Sequence, residues 1–273
     1  MYADFWVNLL VPFVQTRWII VKTPTMPASI KPETNIQPED NGLLAALPAE
    51  VFSRLLPDLK PVTMPLGKVI YESGGQLEHV YFPVPGCIVS MLYVVEDGAS
   101  AEIAVVGDEG MVGIALFMGG GTTPSRALVQ SAGEAFQLKG DALKKEFERH
   151  NGLQNLLLRY TQALITQMSQ TAVCNRHHSV EQQLCRWLLL SLDRLSTNEL
   201  TMPQELIANM LGVRREGVTE AAGKLQARKP GGLISYNRGH ITVLDQPGLE
   251  AQVCECYAVV KKEYDRLLPD KKQ

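Results

Sequence analysis

The stretch Gln204-Glu-Leu-Ile-Ala-Asn-Met-Leu-Gly212-Val-Arg214-Arg215-Glu216-Gly217-Val218-Thr219 decides the fold. It has the layout of a helix-turn-helix. The first helix is expected to carry Leu206, Ile207, Met210 and Leu211 inward, with Ala208 small enough for a second helix to cross close by. Gly212 supplies the sharp turn, where a positive φ is cheap for glycine. Val213 fills the space under the turn. A second helix from about Arg214 then buries Val218, Ala222 and Leu225 and exposes Arg214, Arg215, Glu216, Thr219, Glu220 and Lys224.

That exposed face carries the chemistry of base reading. Arginine donates two hydrogen bonds to guanine O6 and N7, and glutamate accepts from cytosine N4, so Arg215 and Glu216 on the first turn suit a major groove. From Thr201 to Leu244 there are six Lys/Arg against three Glu, a net of +3 inside a chain of net −3. The positive charge is local, as phosphate contact requires. Downstream, Gly232–Tyr236, the turn Asn237-Arg238-Gly239-His240 and Ile241–Leu244 read as a hairpin with Arg238 at its tip, the wing of a winged helix. A merely structural helical hairpin would share the glycine turn but would have no use for the charges or the wing.

Working outward, Ser179 and Gln182 form a capping box that starts a helix running to about Leu195. Before it, Leu157, Tyr160, Leu164 and Met168 mark one stripe of a long helix over Leu153 to about Val173. Leu156, Leu158, Ala163 and Ile165 widen that stripe beyond one neighbour, as a helix shared with a twin subunit requires. Upstream, Lys68–Tyr71, His79–Phe82, Cys87–Val95 and Ala101–Val106 are apolar runs of strand length separated by turn residues, so residues 60–138 are mainly β. A helix is expected over Asp141–Glu148 and an amphipathic tail helix over Pro247–Leu268.

In this order the parts resemble the cyclic-AMP receptor protein and fumarate-nitrate reduction regulator (Crp/Fnr) superfamily of bacterial transcription factors, over roughly residues 41–244. Gly212 through Thr219 is the most specific match. The resemblance implies an α+β chain: an N-terminal cyclic-nucleotide-binding-like β-roll (41–150), a long dimerisation helix and hinge (151–178), and a C-terminal winged helix-turn-helix (179–273). It also implies a homodimer on a pseudo-palindromic duplex, with RNA polymerase as a further partner. Arg215 and Glu216 would read bases, while Arg214, Thr219, Lys224 and Arg238 complete the DNA face. Two departures stand out. Pro203 occupies the usual capping position, so the cap is expected to shift to Thr201, and Lys229-Pro230-Gly231 looks like a short insertion before the wing.

The family's nucleotide pocket pairs Gly-Glu for the ribose with Arg-Ser or Arg-Thr for the cyclic phosphate. Here Gly113 is followed by Ile114 rather than a carboxylate, and Ser125 holds the arginine position with Arg126 one residue later. One residue in an extended segment reverses the face, so Arg126 is expected to turn away from the pocket. Cyclic AMP is therefore not expected, no cofactor is assigned, and the effector stays open. A cyclic-nucleotide-gated regulator with a rearranged pocket, and a protein-interaction module on the same fold, are the alternatives. The Gly119-Gly120-Gly121 run reads as a flexible loop.

The five cysteines, Cys87, Cys174, Cys185, Cys254 and Cys256, are odd in number and scattered, as in a reducing cytoplasm. None lies in residues 1–86, which excludes the amino-terminal iron-sulfur chemistry of the oxygen-sensing branch. Cys174, His177 and His178 lie at the hinge, where a metal or thiol would alter subunit geometry, but they are expected to pack or cap. Cys254 and Cys256, read on one helix, would sit about 200° apart and not chelate together. No metal site is expected. With no Gly-rich phosphate loop, His-Glu-x-x-His or Gly-x-Ser-x-Gly, no enzymatic site is expected either. The apolar N-terminus, interrupted by Asp4, Gln15 and Arg17, reads as neither signal peptide nor membrane span, and 1–40 as an arm and linker.

Overall fold

A computed structural model describes residues 35–228 and 230–268 of the chain. The expectations for residues 1–34 and for Lys229 lie outside the described residues. After two short helices, α1 (Gly42–Ala45) and α2 (Ala49–Leu55), seven strands follow: β1 (Lys60–Met64), β2 (Val69–Tyr71), β3 (His79–Pro83), β4 (Ile88–Val94), β5 (Ser100–Val106), β6 (Arg126–Ser131) and β7 (Gly133–Lys139). They form two antiparallel sheets, β1-β7-β3 and β2-β6-β4-β5. The β4–β5 hairpin closes where the sequence places Asp97-Gly98, with the Asp97 carboxylate accepting from the amide of Ala99 at 2.9 Å. Val80, Phe82, Ile88, Val106 and Leu138 fill the roll and are almost wholly buried.

Helix α3 (Gly140–Phe147) leads to the long α4 (Gly152–His177), which Asn151 caps by accepting from Leu153 N at 2.9 Å. Two polar side chains pin α4 to the roll. The Tyr160 hydroxyl donates to Met111 O at 2.8 Å, and Gln167 accepts from Val105 N at 2.6 Å while donating back to Val105 O at 3.3 Å. This docking corrects the expected breadth of the shared stripe. Leu156 and Ala163 turn into the protomer's own core, and only Leu158 and Ile165 of the widening residues stay exposed, joined by Val173.

The capping box at Ser179 and Gln182 forms as expected and opens α5 (Val180–Leu192). Then come β8 (Glu199–Thr201), α6 (Gln204–Leu211), α7 (Arg215–Ala227), β9 (Ile234–Asn237) and β10 (His240–Val243). β10 lies between β8 and β9, making the wing a three-stranded sheet. Thr201 therefore does not cap α6. It is taken up as a strand residue, its hydroxyl 3.2 Å from His240 Nδ1, and Pro203 stands at the N-cap without a side-chain bond.

The tail also differs from expectation, being two helices, α8 (Gln246–Gln252) and α9 (Glu255–Leu267), parted by extended backbone at Val253 and Cys254. Both halves keep the same apolar period, so periodicity alone does not show the break. The geometry that set Cys254 and Cys256 on opposite sides of one helix does not hold, because Cys254 lies outside α9 as its N-cap residue. Among the described residues no helix is long and apolar enough to cross a membrane.

Candidate nucleic-acid interface

Helices α6 and α7 meet at Gly212, whose φ of +66° makes it the left-handed C-cap of α6. Ile207, Ala208, Met210 and Leu211 on α6 and Val218, Ala221, Ala222 and Leu225 on α7 form the shared core. Leu206 was expected among them but is 41% exposed. In a helix that starts at Gln204, Leu206 falls outside the buried arc that Ile207, Met210 and Leu211 share.

The opposite face of α7 presents Arg215, Glu216, Thr219, Glu220 and Lys224 to solvent, with Arg214 as its exposed N-cap residue. Arg214, Arg215, Glu216 and Arg238 have no ion-pair partner among the described residues. Lys224 pairs with Glu220 at 2.7 Å, an exposed i,i+4 contact that costs little to exchange for another anion. The Thr219 hydroxyl donates to Gln204 Oε1 at 2.8 Å, tying α7 to the start of α6.

The wing is tied to α7 and to the connection between β8 and α6 by two hydrogen bonds that spacing does not reveal. Tyr236 N donates to Gln226 Oε1 at 2.8 Å, and the Tyr236 hydroxyl donates to Met202 O at 2.7 Å. At the tip, Arg238 and Gly239 both adopt positive φ, +48° and +88°. Such a tight turn favours Asn or Gly at its first central position, so an arginine there carries a conformational cost of about 1 kcal/mol. Arg215 from α7 and Arg238 from the tip line one open cleft of about 420 Å³, together with Gln204 and Tyr236. Two unpaired guanidinium groups thus converge between a presented helix and a hairpin.

The description "Cyclic nucleotide-binding domain" matches residues 61–150, and "Crp-like helix-turn-helix domain" matches residues 182–252. The chain belongs to the Crp/Fnr family. No curated protein matches it by sequence. Among solved structures it is similar to a transcriptional regulator of the Crp/Fnr family from Eubacterium rectale, with TM-score 0.61 and 19% identity, covering 77% of this chain and 96% of that one. FixK2 from Bradyrhizobium japonicum gives TM-score 0.61 at 16% identity, covering 72% and 98%. The c-di-GMP-responsive global regulator CLP of Xanthomonas campestris gives TM-score 0.54 at 17%, covering 72% and 99%. At such identities the likeness concerns the fold.

The N-terminal β-roll places the four pocket candidates on two segments. Gly113, at φ +103°, precedes a single 3-10 turn that begins with half-buried Ile114. From Ser125 to Val129 burial alternates, so Ser125, Ala127 and Val129 are buried and Arg126 is not. The Arg126 guanidinium makes two bonds to the Glu72 carboxylate, at 2.7 and 2.8 Å. That contact holds the guanidinium above its ordinary pKa and the Glu72 carboxyl below its own.

Of the hinge candidates, His177 is exposed at the end of α4, His178 is its C-cap residue and Cys174 is fully buried. Burial pushes the thiols of Cys87 and Cys185 up to about 12, which marks them as inert packing residues.

Proposed function

We propose that this Crp/Fnr family member is a homodimeric transcription regulator that reads a pseudo-palindromic duplex, one α7 per half-site in successive major grooves. Arg215 and Glu216 read base edges. Arg214, Lys224 and Arg238 hold phosphates, and Thr219 locks the register of α7 against α6. The observation that carries this reading is the cleft shared by Arg215 and Arg238, in which a conformationally costly arginine at the wing tip faces the same space as the first turn of α7. Contact with RNA polymerase belongs to the same reading.

Selection of bound fragments from randomised duplex DNA, without added ligand, tests it. A two-fold symmetric motif is expected. Arg215→Ala should cost roughly 1 to 3 kcal/mol and relax one base position, whereas Arg238→Ala should weaken all sequences alike and flatten the salt dependence. Loss of affinity in both variants with base preference unchanged would refute the assignment of roles, and failure of the unmodified protein to enrich any sequence would count against ligand-free DNA reading.

Leu158, Ile165 and Val173, 53%, 54% and 46% exposed, run along one face of α4 and support pairing with a second copy. Ile165→Asp is expected to convert the dimer to a monomer in sedimentation equilibrium while leaving far-UV circular dichroism unchanged. A variant that still sediments as a dimer would place the interface elsewhere.

In the sensor half, Ile114 in place of a ribose-binding carboxylate and an Arg126 engaged by Glu72 support a pocket that does not hold cyclic AMP. Calorimetry with cyclic AMP should show no binding at concentrations where a phosphate clamp and a ribose contact would give it.

A further inference from the structure

Two chain segments that are remote in sequence bring soft donors to one point. The last turn of α4 supplies Cys174, the residue after α4 supplies His178, and the start of α9 supplies Cys254 and Cys256. The three Sγ atoms and a ring nitrogen of His178 all lie within 4.8 Å of one another. Cys174 Sγ is 3.6 Å from Cys254 Sγ, and Cys256 Sγ is 3.5 Å from His178 Nδ1.

We propose that Cys174, His178, Cys254 and Cys256 form a closed tetrahedral site for one zinc(II) ion, which fastens the end of the long helix to the C-terminal helix. The edges of the cluster decide the kind of occupant. An ion bound at about 2.3 Å to sulfur and about 2.0 Å to nitrogen sets donor-to-donor edges of about 3.5 to 3.8 Å, which the Cys174–Cys254 and Cys256–His178 edges of 3.6 and 3.5 Å match, and the other donors lie within 4.8 Å. An iron-sulfur cluster distributes its thiolates over several iron atoms and needs wider spacing. Three thiolates and an imidazole select a soft or borderline ion over magnesium or calcium. All four positions are protein donors, which is the arrangement of a structural site rather than a catalytic one.

The surroundings agree. His178 Nε2 lies 3.5 Å from the Glu255 carboxylate, so the ring can face the ion through Nδ1 while an acidic partner holds its far nitrogen. Gln183 Nε2 donates to His178 O at 3.0 Å and to Cys174 O at 3.5 Å, bracing the segment between the first two donors. Three thiolates around a divalent cation leave one negative charge, and the buried cation Arg186 lies within electrostatic reach of Cys174. The three cysteines also stand apart from the main apolar core as a small cluster of their own, with Val253 against it. A disulfide between Cys174 and Cys254 would use two of these groups and leave the convergence of Cys256 and His178 without a purpose.

Mechanically, the site spans the junction where α4 ends and the DNA-reading half begins. α9 already touches α4 through Gln167 Nε2 and the Tyr264 hydroxyl at 3.2 Å, and the ion adds a second tie at the far end. The proposal does not depend on the DNA reading and fails or stands separately from it.

The full chain, purified under reducing conditions from zinc-supplemented medium, tests this by elemental analysis, and cobalt(II) replacement by its absorption spectrum. One zinc per chain is expected, with thiolate-to-cobalt charge transfer and the intense visible bands of tetrahedral cobalt. Cys254→Ser and His178→Ala should each weaken zinc in chelator competition by about tenfold or more, and the exposed Glu255→Gln by about tenfold, while Cys87→Ser leaves it unchanged. Since a ligand variant can fail to fold, the cobalt spectrum of the unmodified chain and the behaviour of Glu255→Gln decide independently. The proposal is overturned by a reduced chain that binds neither zinc nor cobalt in one equivalent. It is overturned equally by iron with acid-labile sulfide, or by a Cys174–Cys254 disulfide recovered from protein purified without oxidant.

Discussion

Arg194→Met is expected to lower the unfolding free energy by about 3 kcal/mol, because it removes one half of a buried ion pair. Arg194 follows α5 and reaches into the loop after β5, where Nε and Nη2 donate to Glu109 Oε1 at 2.9 and 2.7 Å. Its Nη1 donates to Leu190 O at 2.6 Å, and Glu109 also accepts from the amide of Gly107. The arginine side chain is 5% exposed and the glutamate 17%. Methionine retains most of the apolar stem, so the loss isolates the charge left behind on Glu109. Removing single partners of such pairs costs about 3 to 5 kcal/mol, and the lower end applies because Glu109 keeps some contact with water. Urea denaturation measures it. The double variant Arg194→Met/Glu109→Gln should recover about half of the loss, since no unpaired carboxylate then stays behind. A double variant as unstable as the single one would mean that packing, not charge, holds this joint.

The features legible in the sequence are the ones that local chemistry fixes. Gly212 announces its left-handed turn, Ser179 and Gln182 announce a helix start, and Asn237-Arg238-Gly239-His240 announces a two-residue hairpin, because each depends on neighbours within four positions. The charges of α7 are legible for the same reason. Features that depend on remote partners were not. Thr201 has the spacing of a cap, yet the wing offers it a strand partner in β10, and the tertiary pairing wins. Leu156 and Ala163 look like an outer stripe until α4 is seen to lie on the roll. The break at Val253 and Cys254 has no proline or glycine to mark it. What it accomplishes, bringing Cys254 to Cys174 across 80 residues of chain, is visible only in three dimensions. Read separately, a cysteine and histidine four apart and two cysteines two apart are each weak signals.

A second buried acid makes stability depend on pH in a direction opposite to the usual carboxylate. Glu102 on β5 is 8% exposed, and its Oε2 has no hydrogen-bond partner among the described residues. Burial pushes its carboxyl from 4.5 up to about 7, against the opposing pull of Ser90, Arg186, Arg194 and Trp187. The folded chain therefore holds this proton more tightly than the unfolded chain does. The stabilisation is complete below about pH 4.5 and is lost as pH rises through about 7. At about 1.4 kcal/mol per pH unit, the loss across that window is roughly 3 kcal/mol. Glutamine keeps the shape of the neutral acid and cannot ionise, so Glu102→Gln should gain on the unmodified protein by that amount between pH 4.5 and pH 8. Denaturation of both proteins at a series of pH values is the measurement, and a difference independent of pH would show that Glu102 ionises as freely in the fold as in the open chain. The strand that carries this acid is also the one that Gln167 grips through Val105 and that α6 meets at Ser100, where the hydroxyl lies 3.4 Å from Asn209 O. Charging Glu102 therefore strains the same surface on which the long helix and the helix-turn-helix both rest.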